Sequence, residues 1–292
     1  MTQRIRLAIQ KSGRLTEACK KLFENSGLTF NVGDRQLLYN IPEMPIDLLF
    51  VRDDDIPILV SKGICDFGIV GLNVFEEKKL EENGDFDAQI FATLGLSQCR
   101  LSLAMPVDKK FTSLGDLNGL KIATTYPRIV KNFLTKNNIQ AEIVHMQGSV
   151  EIAPSLQLSD AIVDIVSSGA TLKQNNMKEV MTLLASEAVL IYNKNISNIK
   201  KNIAERFMKR VYSALSVYRK KYVVLNAPRD KIEEITKLLP GSESPTVVPL
   251  VNPNMVSLHA ICSEERFWEV MERLKSAGAS SIAVLSIEKM LD

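Results

Sequence analysis

The sequence predicts an α/β protein of two similar lobes, followed by a separate α+β module. Two observations carry that prediction. As far as Lys220, short apolar runs alternate with polar turns and helical periods, the order that sheets covered by helices require. Beyond it the order becomes strand, helix, two strands, helix, strand, which is the ferredoxin-like split. The pattern restarts at Arg100 and returns at Glu187. Residues 1–99 with 186–218 are therefore assigned to a first lobe, 100–185 to a second and 219–292 to the module. A length of 292 residues suits two or three domains, and 46% hydrophobic with 24% charged residues supplies ordinary cores.

In the first lobe, Ile5, Leu7 and Ile9 alternate in a strand that enters Gln10-Lys11-Ser12-Gly13-Arg14. Thr16 is expected to cap a helix whose Leu15, Cys19, Leu22 and Phe23 share a face and which Gly27 ends. A basic, Gly-containing loop after a first strand is where α/β folds place ligands, so Lys11 and Arg14 are candidate anion contacts. A solvated pair of charges is the alternative. Met44 to Val51 is the next strand, followed by Arg52-Asp53-Asp54-Asp55 and a short helix with Pro57 in its first turn and Gly63 at its end. The aspartates suit a helix start as well as a site. Ile64 to Val70 is a third strand, and Gly68 and Gly71 either admit a ligand or make a turn. A helix rich in Glu and Lys follows.

In the second lobe, Leu101, Leu103 and Met105 alternate, Leu120 to Thr124 is a strand, and Thr124-Thr125-Tyr126-Pro127 opens a helix reaching about Lys136. Ala141 to Met146 is another strand, and Gly148 to Glu151 leads into an expected helix. Ala161 to Val166 is apolar on both faces, as in a buried parallel strand, except for Asp164 near its C-terminal end. Ser167-Ser168-Gly169-Ala170-Thr171 comes next, with a helix from Leu172. Converging N–H groups, hydroxyls and a helix start make an anion cradle, although small hydroxyl residues also precede ordinary helices. Asp164 repels a phosphate and suits hydroxyls or a metal beside it; the combination describes a phosphorylated sugar.

Ser197 starts a long helix with Ile199, Ile203, Phe207, Val211 and Leu215 on one stripe, and Arg219-Lys220-Lys221 reads as a linker. In the module, Tyr222 to Asn226 is a strand and Asp230 to Leu239 a helix closed by Pro240-Gly241. Thr246 to Leu250 and Met255 to Ile261 form a hairpin. Ser263 caps a helix carrying Phe267, Trp268, Met271 and Leu274, which Gly278 ends before a strand from Ser281 to Ile287. The module has no catalytic constellation, so a binding or regulatory role is expected.

A net charge of +2 argues for neither nucleic acid nor an anionic membrane. No run reaches transmembrane length and no signal-peptide core precedes the first strand, so a cytoplasmic location is expected. Four scattered cysteines read as free thiols. With His145 and His259 the only histidines, a histidine metal site or a Ser-His-Asp triad is not expected.

Glu151, Asp164 thirteen residues on, and Ser168-Gly169-Ala170-Thr171 together resemble the motif of the ATP phosphoribosyltransferase family in its long, self-regulated form. QKSGRL (10–15), VRDDDIP (51–57), GICDFGIVGLNV (63–74), CRLSLA (99–104) and TTYP (124–127) also look like segments of it. So do SPTVVPL (244–250) and GASSIAVLSIEKM (278–290) in the module. The resemblance implies two periplasmic-binding-protein-like lobes with the active site in their cleft, then a ferredoxin-like domain that binds histidine as feedback inhibitor. It implies that N1 of the adenine of ATP attacks C1 of phosphoribosyl pyrophosphate (PRPP), giving phosphoribosyl-ATP and pyrophosphate, with Mg²⁺ required.

On that basis Glu151 and Asp164 are expected to be catalytic, either of them a candidate metal ligand. Ser168, Gly169, Ala170 and Thr171 are expected to hold the ribose 5-phosphate. Lys11, Arg14, Arg52 and Arg100 serve the ATP phosphates and the pyrophosphate, while Tyr126 is either a nucleotide contact or a packed aromatic. Asn226, Thr246 and Ala279 are assigned to histidine, and dimers and hexamers are expected. One departure is Gln157, where the family is expected to have glycine. The sequence places it on a helix, where Gln costs less than Gly, so its effect is expected to be local. The chemistry agrees: departing pyrophosphate leaves positive charge on the ribose, which a carboxylate stabilises, and no protein nucleophile is needed. A two-lobed solute-binding or sensor protein without chemistry is the competing expectation.

Overall fold

The computed structural model describes residues 3–30, 36–82, 84–216, 220–239, 244–288 and 290. They divide into two compact units. One runs through Lys21 and again from Leu28 to Glu205; the other comprises Leu22–Gly27 and the chain from Arg206 onward.

In chain order the elements are β1 (Ile5–Gln10), α1 (Arg14–Asn25), β2 (Leu38–Ile41), β3 (Ile46–Val51), α2 (Ile56–Ser61), β4 (Phe67–Gly71), α3 (Leu72–Glu81) and β5 (Ala88–Thr93). Next come β6 (Cys99–Pro106), β7 (Lys121–Thr124), α4 (Pro127–Lys136), β8 (Glu142–His145), β9 (Ala161–Val166), α5 (Ala170–Gln174), β10 (Met177–Ser186) and β11 (Ala188–Asn193). The remainder is α6 (Asn198–Ser216), β12 (Lys220–Pro228), α7 (Ile232–Leu238), β13 (Thr246–Pro249), β14 (Met255–Ser263), α8 (Glu264–Ser276) and β15 (Ser280–Ser286).

The first unit holds two sheets, ordered β2-β3-β1-β4-β11-β5 and β10-β6-β9-β7-β8. In the first, β3, β1 and β4 are parallel, so their C-terminal ends share one edge. In the second, β8, β7 and β9 are parallel, but β6 runs antiparallel to β9 and β10 antiparallel to β6. β9, expected as a buried parallel strand, is thus parallel to β7 on one side and antiparallel to β6 on the other. β10 escaped sequence reading because its side chains are half-exposed without alternation and its ladder slips twice. The chain crosses between the sheets at β5–β6 and at β10–β11. The two crossings adjoin: Ser186 pairs with Cys99, and Ala188 exchanges backbone hydrogen bonds with Leu94 and Leu96 at 2.9 Å.

Local chemistry explains where the boundaries moved. α1 begins at Arg14, and Thr16 does not cap it; its hydroxyl donates to the Gln10 carbonyl at 2.8 Å and ties the helix to the end of β1. A Cβ on Gly68 would lie 2.4 Å from Ile56 Cγ2, and one on Gly71 2.5 Å from Asn73 Oδ1. Both glycines make room for the protein's own side chains, with α2 packing on β4 in the first case, and Gly71 also lines a cavity between the two sheets.

No helix follows Glu151. A single 3₁₀ turn, Val150–Ile152, gives way to further turns. Val150 and Ala153 are buried, but Ile152, Leu156 and Leu158 are exposed, so apolar burial ends within one turn. Gln157 sits there at φ +58°, in the left-handed region, and the helix that was to favour Gln over Gly does not exist. A side chain at such φ costs roughly 1–2 kcal/mol, which glycine avoids. Gln157→Gly is accordingly expected to stabilise the protein by about 1 kcal/mol, read from the shift of a urea midpoint at constant slope.

The second unit forms the antiparallel sheet β13-β14-β12-β15, the ferredoxin-like order, with Val223, Leu225, Val256 and Leu258 packed against Phe267 and Leu274 of α8. Lys220 and Lys221 pair with Ser263 and Cys262 inside the sheet and are not a linker. Arg219 and the expected helix stop at Pro240-Gly241 lie outside the described residues. The Ser263 hydroxyl accepts from the Arg266 N–H at 3.2 Å, capping α8, and Gly278 at φ +92° ends it. All four cysteines are free thiols. Among the described residues no helix is long and apolar enough to cross a membrane.

Candidate active site

Each parallel strand of the two sheets runs out into a loop that the sequence singled out. β1 leads to Lys11, Gly13 at φ +123° and Arg14; Lys11 N–H donates to the Val51 carbonyl at 2.8 Å, which sets this loop beside the one after β3. There Arg52 precedes the 3₁₀ turn Asp53–Asp55. Lys11, Arg14 and Arg52 are exposed, and among the described residues none has a carboxylate partner.

From the second sheet, β7 leads to Tyr126 and β9 to the Ser167–Thr171 turn. Gln10, Arg14, Asp53 and Asn73 on one side and Tyr126 and Ser167 on the other line a cavity of about 280 Å³. A larger one, about 920 Å³, lies between Arg52, Asp54 and Lys78 and Tyr126, Arg128 and Lys131. Tyr126 walls both.

Asp164 is half-buried near the end of β9. Burial raises its carboxyl above the usual carboxylate range, and the charge of Glu151 raises it further. The two carboxylates thus act on one another. Ser167, Ser168 and Thr171 are exposed just beyond. Gly169 takes φ +77° ahead of α5, and the Ala170 N–H donates to Ser168 Oγ at 3.4 Å. α5 has only five residues, so the cradle depends on its N–H groups and hydroxyls more than on a helix dipole.

Arg100 is placed differently from the other cations. It stands opposite Val166 in the β6–β9 ladder, and its guanidinium binds Glu179 of β10 through Nε and Nη2 while Nη1 donates to the Ser167 carbonyl at 3.1 Å. That pairing lowers the Glu179 carboxyl, helped by a hydrogen bond from Ser102. Its charge is balanced within the protein, and its contact with the cradle is to the backbone.

Tyr126 is half-buried. Its hydroxyl accepts from Asn73 Nδ2 at 2.8 Å, and burial raises the phenol well above its ordinary range. Asn73 also donates through its N–H to Ser186 Oγ and accepts from that hydroxyl at 2.7 Å. Neither Asn73, Glu179 nor Ser186 was picked out from the sequence. Asn73 falls in the quoted GICDFGIVGLNV segment; the other two carry no local signal.

In the second unit, Asn226 stands opposite Ser257, and Thr246 opposite His259, two residues apart on β14. These positions alternate with the buried Val223, Leu225 and Leu258, so they lie on the sheet face turned away from the helices. His259 bridges Tyr222 OH at 2.8 Å and Ser257 Oγ at 3.1 Å on this face. Ala279 is buried just before β15.

The family model for ATP phosphoribosyltransferase matches residues 52–213, and that for the C-terminal domain of the same enzyme matches 218–289. The chain belongs to the ATP phosphoribosyltransferase family. It is 49% identical to the ATP phosphoribosyltransferase of Bacteroides thetaiotaomicron and 47% identical to that of Bacteroides fragilis, each over 98% of this chain and 99% of the relative. A chain of the ATP phosphoribosyl transferase (HisG:HisZ) complex from Thermotoga maritima superposes with a TM-score of 0.61 at 25% identity, covering 73% of this chain and 98% of that one. With the C-terminal domain present, this is the long form of the family, and the enzyme is a pentosyltransferase of histidine biosynthesis acting on ATP and PRPP. The competing solute-binding reading gives way to this one.

Proposed function

We propose that the loops between the two sheets carry out phosphoribosyl transfer with the following division of labour. The Ser168–Thr171 turn takes the ribose 5-phosphate. Glu151 and Asp164 take the ribose hydroxyls and face the positive charge that develops as the C1–O bond to pyrophosphate breaks and the C1–N1 bond to adenine forms. Lys11, Arg14 and Arg52 meet the polyphosphates, Tyr126 borders the nucleotide, and Arg100 holds the cradle through Ser167. The observation that supports this reading is the Glu151–Asp164 carboxylate pair beside an exposed hydroxyl turn whose Ser167 lines one cavity with Arg14.

Among the described residues no cluster of three or more His, Cys, Asp or Glu could hold a metal by itself. Two carboxylates beside a phosphate site do fit Mg²⁺, which binds through one or two carboxylates plus substrate phosphates. Glu151 and Asp164 would hold it, and it would neutralise charge on the leaving group. The open face of the C-terminal sheet, with Asn226 and Thr246 and the adjoining Ala279, takes histidine. The enzyme works in the cytoplasm as dimers and hexamers.

Pyrophosphate release is the test. It is expected to require both ATP and PRPP, and histidine is expected to lower the rate without raising KM for either. Release with one substrate alone would refute the transfer, and competition by histidine would refute the separate site.

A further inference from the structure

α3 carries a buried carboxylate that the reaction as described does not use. Glu77 lies in the run Glu76-Glu77-Lys78-Lys79, a pattern that reads as a solvated helix face, yet it is only 8% exposed. Its two oxygens accept the N–H groups of Arg128 at 2.8 Å and Ile129 at 2.9 Å. Those are first-turn donors of α4, which has no side-chain cap of its own: Tyr126, at the cap position, makes no such bond. Four N–H groups at a helix start lack intrahelical partners and are normally satisfied locally. Here two are satisfied from a helix that follows a strand of the other sheet. One turn earlier on α3, Asn73 donates to the Tyr126 hydroxyl. Asn73 and Glu77, four residues apart on one helical face, therefore grip the same corner from below.

Burial raises the Glu77 carboxyl above its usual range and the charge of Glu81 adds to this, while the two backbone donors and the nearby Arg128 charge offset it. A protein that needed no more than a cap for α4 could place Ser or Asp next to the helix, as Ser263 does for α8. A carboxylate buried across the lobe boundary instead fixes where α4, and with it Tyr126 and Arg128, stands relative to the first sheet. Glu77, Tyr126 and Arg128 all border the 920 Å³ cavity.

We propose that Glu77 is a positioning residue: by holding the first turn of α4 it sets Tyr126 and Arg128 for the nucleotide, so that the two lobes meet ATP in a fixed register. This rests on the reading that Tyr126 borders the nucleotide. Both Glu77 oxygens are taken by α4 amides, so its effect is transmitted through α4.

Steady-state kinetics of the full-length enzyme test it. Glu77→Gln keeps the volume but turns one acceptor into a donor facing a backbone N–H. It is expected to raise KM for ATP about tenfold, the scale of one charge-assisted hydrogen bond, and to leave KM for PRPP within about twofold. Combined with Tyr126→Phe, it is expected to add little to the larger single effect, since both act on one corner. Equal rises in both KM values, additive effects, or a fall in melting temperature with unchanged kinetics would reduce Glu77 to a cap and overturn the proposal. If Tyr126→Phe alone leaves KM for ATP unchanged, the nucleotide reading has failed; if it raises KM while Glu77→Gln does not, the positioning role alone has failed. Should Glu77→Gln not fold, hydrogen exchange of the unsubstituted enzyme decides. ATP alone is expected to slow exchange at the Arg128 and Ile129 amides, and PRPP alone to leave it unchanged; any other result counts against the proposal.

Discussion

Replacing Asp164 with Asn is expected to lower turnover by roughly 10²-fold or more, the scale on which a preorganised charge acts on a transition state. The same substitution is expected to raise the melting temperature at neutral pH. Asp164 has its carboxyl raised in the folded protein, by burial first and by Glu151 second. A group whose pKa is higher folded than unfolded favours folding when protonated, and that contribution is lost as pH rises through the folded value. Once Asp164 ionises, its charge is a cost that the Ile165 N–H offsets only in part, and Asn removes it. The unsubstituted enzyme should also lose turnover on acidification earlier than an ordinary carboxylate would dictate, and the variant should lack that limb. Kinetics and melting curves from the same preparations check all three. An inactive variant with a collapsed melting temperature would instead make Asp164 a structural residue.

Thr171→Val is expected to carry the next largest effect. The hydroxyl is exposed at the start of α5, beside Ser168 and downstream of the left-handed Gly169. Valine matches its shape and β-branching, so the turn should persist and only the donor should be lost. A hydrogen bond to a charged phosphate is worth about 1.5–3 kcal/mol, so kcat/KM for PRPP should fall by about 10- to 150-fold with KM for ATP little changed. Unchanged PRPP kinetics would remove the 5-phosphate from this turn. Because α5 is too short for a strong dipole, little else there would compensate for the missing hydroxyl.

How much of this was legible in the sequence depended on the range of the forces involved. β1, β3 and β9 announce themselves because burial on a sheet leaves an apolar record in the residues themselves, and the Asp164 turn follows β9 directly. β2, β5 and β10 are edge strands or strands with partly exposed faces, so no periodic record exists. Gln157 was misplaced because burial in this stretch stops at Ala153 and leaves Leu156 and Leu158 exposed, a limit set by tertiary packing that local pattern does not carry. Glu77 was invisible for a plainer reason. Its partners lie 51 and 52 residues away and are backbone groups, which any residue type would provide. Arg100 was rightly noticed as a cation, yet its Glu179 partner comes from β10, the strand that could not be read.

The two adjoining crossings between the sheets have a bearing on ancestry and engineering. Since Cys99 and Ser186 are ladder partners, the segment between them begins and ends at nearly one point in space. Such a segment behaves as a cassette: it can be excised from, or spliced into, a host whose own sheet closes without it. The first sheet has the order this requires, with β11 lying between β4 and β5, two strands that precede the segment. The natural seams for exchanging segments with relatives therefore lie at residues 94–98 and at Glu187, not midway along any helix. A chimera joined there inherits its cradle and Asp164 from one parent and Lys11, Arg14 and Arg52 from the other.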